Sequence, residues 1–158
     1  MTEAERLREL ILKFLRLETI AEALYRQHLH AVPKAAKSLF REFIDVEERH
    51  RILFEQYYQN IHGHPAPKFG FSVFCARLIA EILHVGGTRP IIAFECWIER
   101  LAIRDYEQAL EWIEEPTMRK ILHNILDDEK SHPSLTEALI LFKQEEADHI
   151  LRMQHWLH

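Results

Sequence analysis

Apolar residues recur along this chain at intervals of three and four, the spacing of helices that bury one face. Leu7, Leu10, Ile11, Phe14, Leu17, Ala21, Leu24 and Tyr25 form a first stripe. Pro33 disfavours helical geometry in the residue before it, which predicts an end near Ala31-Val32. A second stripe runs Leu39, Phe43, Val46, His50, Leu53, Phe54, Tyr57 and Ile61, and stops at the break His62-Gly63-His64-Pro65-Ala66-Pro67. Residues 69–85 form a short, very apolar segment closed by Gly86-Gly87, with Thr88 the expected cap of the next helix and Pro90 an early helical residue. A third stripe follows through Ile91, Phe94, Ile98, Leu101, Ala102, Ala109 and Ile113, and Pro116 punctuates it. A fourth runs Met118, Ile121, Leu122, Ile125, Leu135, Leu139 and Phe142, with an amphipathic tail over residues 145–158. Two long helices, a long crossover holding a short helix, and two further long helices predict an all-α four-helix bundle.

Composition narrows this picture without changing it. At 158 residues and 47% hydrophobic, residues 1–158 are expected to form one domain with a real core. Four glycines and six prolines are too few for an all-β chain. Twenty basic against twenty-five acidic residues argue against a general nucleic-acid binder. Cys75 and Cys96 form no CxxC pair, which points to a reducing compartment and a cytoplasmic location. The charged start, Met1 to Arg6, does not read as a secretory signal. Arg77 and Glu81 interrupt the apolar stretch 69–85, so membrane contact is expected to be peripheral at most.

The candidate chemistry lies inside the stripes. Glu18, Glu47 with His50, Glu99, and Glu129 with His132 all fall in phase with core positions. A buried unpaired carboxylate costs several kcal/mol, and converging carboxylates repel one another, so a shared cation or pair of cations would resolve the conflict. Glu and His three apart lie on one helix face. That spacing alone says little, because Glu81/His84 and Glu146/His149 share it. An internal repeat discriminates. Glu18 and Glu99 are each followed seven residues on by a tyrosine, Tyr25 and Tyr106. Glu47 follows Glu18 by 29 residues and Glu129 follows Glu99 by 30. The discarded pairs have no counterpart in this repeat. Two similar helix hairpins would thus place four Glu and two His at the centre of a pseudo-twofold bundle.

This arrangement resembles the ferritin-like di-iron carboxylate proteins over residues 7–142, with demethoxyubiquinone hydroxylases the nearest likeness and rubrerythrins the next. The resemblance implies that Glu18, Glu47, His50, Glu99, Glu129 and His132 bind two iron ions, or manganese, with Glu47 and Glu129 as bridges. It implies an oxidoreductase that activates O2 or peroxide, acts on a small or lipophilic substrate and draws on an external electron donor. Tyr25 and Tyr106 would hydrogen-bond carboxylates, carry electrons, or only fill space. Asp45, Asp105 and Asp128 are unranked candidates to orient the histidines. Where rubrerythrins carry an extra third-helix carboxylate, this chain has Cys96 and Ala102, and Pro133 stands where the hydroxylases have another His. Pro133 implies a kink or a break in the fourth helix. Alternatives are a ferroxidase or iron-handling protein, a rubrerythrin-like peroxidase, and a non-enzymatic metal-binding module. The apolar crossover with Trp97 and Trp112 would allow a greasy pocket, whose place the sequence does not give, and the tail is expected to be a homodimer contact or a fraying end.

Overall fold

The computed structural model describes residues 2–131 of the chain. Within them lie five α-helices and no strand, the fold of a ferritin-like helical bundle. Helix α1 spans Glu3–His28, α2 Lys37–His62, α3 Gly70–Val85, α4 Thr88–Trp112 and α5 Pro116–Ser131, with a single 3-10 turn at Lys34–Ala36. Helices α1, α2, α4 and α5 are the rods of the predicted bundle, and α3 is the helix of its crossover.

Local chemistry sets the boundaries. The Thr2 side chain accepts from the Glu5 backbone N–H while Glu5 accepts from that of Thr2, a reciprocal cap at the start of α1. Gly63 closes α2 in the left-handed region at φ 71°, which costs a residue without Cβ nothing. The cap of α4 is Gly87 rather than Thr88, which is already helical. Pro116 opens α5, and the Glu115 carboxylate before it accepts from the backbone N–H groups of Thr117 and Met118.

Two larger apolar clusters lie on either side of a polar layer, and a third, smaller one of Leu24, Ala76 and Ala80 seats α3 on α1. Ile11, Phe14, Leu15, Phe54, Tyr106, Met118, Leu122 and Ile125 fill one end. Ala21, Tyr25, Leu39, Phe40, Phe43, Ile44, Ile91 and Ile92 fill the other. Helices α1, α2 and α4 each cross from one cluster to the other and place a carboxylate at the crossing, and α5 places one at the edge of the first cluster. Glu18 lies between Leu15 and Ala21, Glu47 between Ile44 and Phe54, Glu99 between Ile92 and Tyr106, and Glu129 just beyond Ile125.

Several expected core positions are rotated outward. Leu53 and Ile61 are exposed on α2, while Phe40, Ile44 and Tyr58 are buried instead. In the first half of α4 the buried stripe is Ile91, Ile92 and Glu95, and Phe94 and Ile98 are only partly buried. Trp97 and Trp112 are 52% and 46% exposed, and Trp112 lines a surface cavity with Arg6, Glu9, Leu10 and Lys13. His62 ends α2 and packs on Tyr58, 4.4 Å between ring centroids, rather than lying in an open loop. Leu135, Leu139, Phe142, Pro133 and the tail lie outside the described residues. Among the described residues no helix is long and apolar enough to cross a membrane.

Candidate metal centre

Helical phase brings the candidate side chains to one level. Glu18 on α1, Glu47 and His50 on α2, and Glu129 on α5 are all buried. Each offers one ligand-type atom, and these four atoms lie within 4.8 Å of one another. His50 Nδ1 stands 3.3 Å from Glu129 and 3.7 Å from Glu18. Its other ring nitrogen, Nε2, stands 3.3 Å from Asp128 Oδ2. A carboxylate behind one imidazole nitrogen turns the other toward the centre, the arrangement that orients metal-binding histidines. Of the three aspartates weighed as orienting groups, Asp128 alone touches a candidate histidine among the described contacts. Asp105 pairs with Lys13 at 2.7 Å, and Asp45 is exposed.

Glu99 joins from α4. It is outside the group of four but lies within hydrogen-bonding reach of Glu129, and Glu18 of Glu47. Each half of the repeat therefore contributes a carboxyl–carboxyl pair. The tyrosines link the halves crosswise: Tyr25 on α1 donates to Glu99 on α4, and Tyr106 on α4 donates to Glu18 on α1. Both rings are fully buried and seated against aromatic neighbours, Tyr25 5.2 Å from Phe43 and Tyr106 4.6 Å from Phe14. His132 lies outside the described residues.

The electrostatics are those of too many acids in one dry place. Burial, and then the charge of Glu18, hold Glu47 well above the ordinary carboxylate range. Burial and then Glu129 do the same to Glu99. Burial and then Glu99 raise Tyr25 well above an ordinary phenol. Burial opposes charge on His50, but Glu129 and Glu18 outweigh it and hold the imidazole up to about 10. Without a cation, Glu47, Glu99 and His50 are thus all pushed toward their protonated forms. Three carboxylates and one imidazole, with donor atoms close enough to share an ion, suit a hard divalent metal such as iron or manganese.

One buried carboxylate escaped the sequence reading. Glu95 on α4 is fully buried and pairs with the equally buried His28 on α1 at 2.9 Å. Its signal was its phase: it lies four residues after Ile91 and four before Glu99. His84, set aside with Glu81 for want of a counterpart in the repeat, packs against His28.

A family model described as Rubrerythrin matches residues 9–140. No curated protein and no solved structure matches the chain.

Proposed function

Because this chain belongs to the rubrerythrin family, we propose that its buried carboxylate–histidine cluster is a di-iron centre serving an oxidoreductase that reduces peroxide or O2. The observation that carries this reading is the convergence of Glu18, Glu47, His50 and Glu129 within 4.8 Å inside a chain of that family. Glu99 and His132 complete the proposed ligand set, with Glu47 and Glu129 as bridges. Two iron ions held there would deliver two electrons jointly to the oxidant.

The chain's own residues supply the setting. Tyr25 and Tyr106 each hold one carboxylate oxygen by a hydrogen bond and so fix the orientation of Glu99 and Glu18. Asp128 holds the His50 ring with Nδ1 turned inward. Phe14, Phe40, Phe43 and Phe54 keep water from both ends of the polar layer. Electrons are expected from an external donor.

A second reading, hydroxylation of a lipophilic substrate, draws on α3, which exposes Phe71, Phe74, Leu78, Ile82 and Val85. The deciding experiment loads the protein with ferrous iron and supplies a reductant with peroxide, O2 or a hydrophobic substrate. The proposal expects peroxide or O2 consumption in step with electron delivery and no oxygenated organic product. A hydroxylated product would favour the second reading. Stoichiometric iron oxidation that does not turn over would favour a ferroxidase.

A further inference from the structure

A line of polar side chains leads from the surface toward the centre, through a layer that is otherwise apolar. At its outer end Glu81 on α3 is exposed, and its carboxylate stands 3.7 Å from His84 Nδ1. His84 Nε2 meets His28 Nδ1 at 3.1 Å. His28 Nε2 meets Glu95 Oε1 at 2.9 Å, with both side chains fully buried. Both Glu95 oxygens and His28 Nε2 are buried without an aligned hydrogen bond among the described residues, so transfer between them needs a small rotation of one side chain. Glu95 lies one turn before Glu99 on α4, about 6 Å of helical rise, and His28 lies three residues after Tyr25 on α1. The charge of Glu95 bears on both Tyr25 and Glu99.

Resting on the di-iron reading above, we propose that His84, His28 and Glu95 form a proton relay from solvent to the carboxylate centre. Reduction of peroxide to water consumes one proton for each electron, so the centre needs protons from solvent. Imidazole suits such a path because one nitrogen accepts while the other releases. A proton from solvent binds His84 Nδ1. The proton on His84 Nε2 passes to His28 Nδ1, and the one on His28 Nε2 passes to Glu95. Charge moves inward by one proton, each ring is left as its other tautomer, and no electron moves. The line resets when Glu95 gives its proton up to the centre, one turn along α4, and the two rings tautomerise.

The surroundings favour the direction. His84 faces Glu81 on its own helix, His28 on α1 and His30 just after α1, and Gln27 on α1 donates to Glu81; burial and then His28 lower the affinity of His84 for a proton. Glu95 faces His28 on α1 and senses Tyr25 and Glu99; burial raises it above the ordinary carboxylate range despite His28, so it can hold a proton as an acid.

Two measurements test the relay. In metal-free full-length protein with 15N-labelled histidine, the ring nitrogens of His28 should shift as His84 titrates. His28 resonances that ignore the protonation of His84 would overturn the relay. In reduced, iron-loaded protein, His84→Ala and Glu95→Gln should keep the iron yet slow oxidation by peroxide at least about tenfold. Added imidazole should restore the His84→Ala rate and leave Glu95→Gln slow. Unchanged rates with iron in place, or slowing in His84→Ala that imidazole does not reverse, would refute the relay alone. A wild-type protein that takes up no iron would instead refute the di-iron reading on which it rests.

Discussion

The Tyr25 hydroxyl on α1 donates to the Glu99 carboxylate on α4, and the repeat returns the same contact as Tyr106 to Glu18. Each tyrosine follows its own helix's carboxylate by seven residues yet serves the opposite one. The two contacts tie α1 to α4 across the polar layer.

Equivalent loss is expected from either tyrosine. Removing one hydroxyl leaves a buried carboxylate oxygen without its donor, at a cost of about 1–3 kcal/mol. Tyr25→Phe and Tyr106→Phe should each lower the denaturant midpoint of the metal-free protein while preserving its helicity. A large loss for one and none for the other would show that the crosswise pairing does not reflect a functional symmetry.

Metal-free stability should fall as pH rises. Glu47 and Glu99 sit well above the ordinary carboxylate value of 4.5, and His50 is held up to about 10. Between those limits the folded centre holds more protons than the unfolded chain, so deprotonation works against folding. The His50 contribution is complete below its unfolded value of 6.5 and disappears as pH passes about 10. Chemical denaturation from pH 5 to about 9 should show this decline from the centre, and Glu47→Gln should flatten it.

Substituting Glu47 should separate metal binding from folding. Glu47→Gln is expected to lose iron yet stabilise the metal-free protein by about 1–2 kcal/mol near neutral pH, because one buried acid no longer competes for protons. Calorimetry on metal-free samples reads the sign directly.

Away from the centre, Glu115 caps α5 and also accepts from the Tyr57 hydroxyl. Burial works against its charge, but Tyr57 and the α5 backbone donors hold the carboxyl below its ordinary value. This contribution is present above the unfolded carboxylate value and is lost as pH falls through the folded one. Glu115→Ala should cost about 1 kcal/mol near neutral pH, and less in acid.

Much of this architecture was legible because a helix writes its buried face every three or four residues. Glu18, Glu47, His50, Glu99 and Glu129 declared themselves as acids and a base in apolar phase, and the repeat distinguished them from Glu81 and Glu146. The crosswise tyrosine contacts were not legible, because spacing along one helix does not say which neighbour a side chain meets. Glu95 was missed because the stripe on α4 was read through Phe94 and Ile98, a rotation that turned Glu95 toward solvent. His84 lies on the crossover helix, outside the repeat, and only its packing on α1 gives it a partner. Of the two resemblances drawn from the residues, the family match supports the second, to rubrerythrins.

The most direct measurement is the iron content per chain of protein loaded anaerobically with ferrous iron, wild type beside Glu47→Ala and His84→Ala. Two irons in the wild type, two in His84→Ala and a loss in Glu47→Ala are the predicted results. A wild type that binds no iron, or a Glu47→Ala protein that keeps its full complement, would contradict the assignment of the buried cluster as the metal centre.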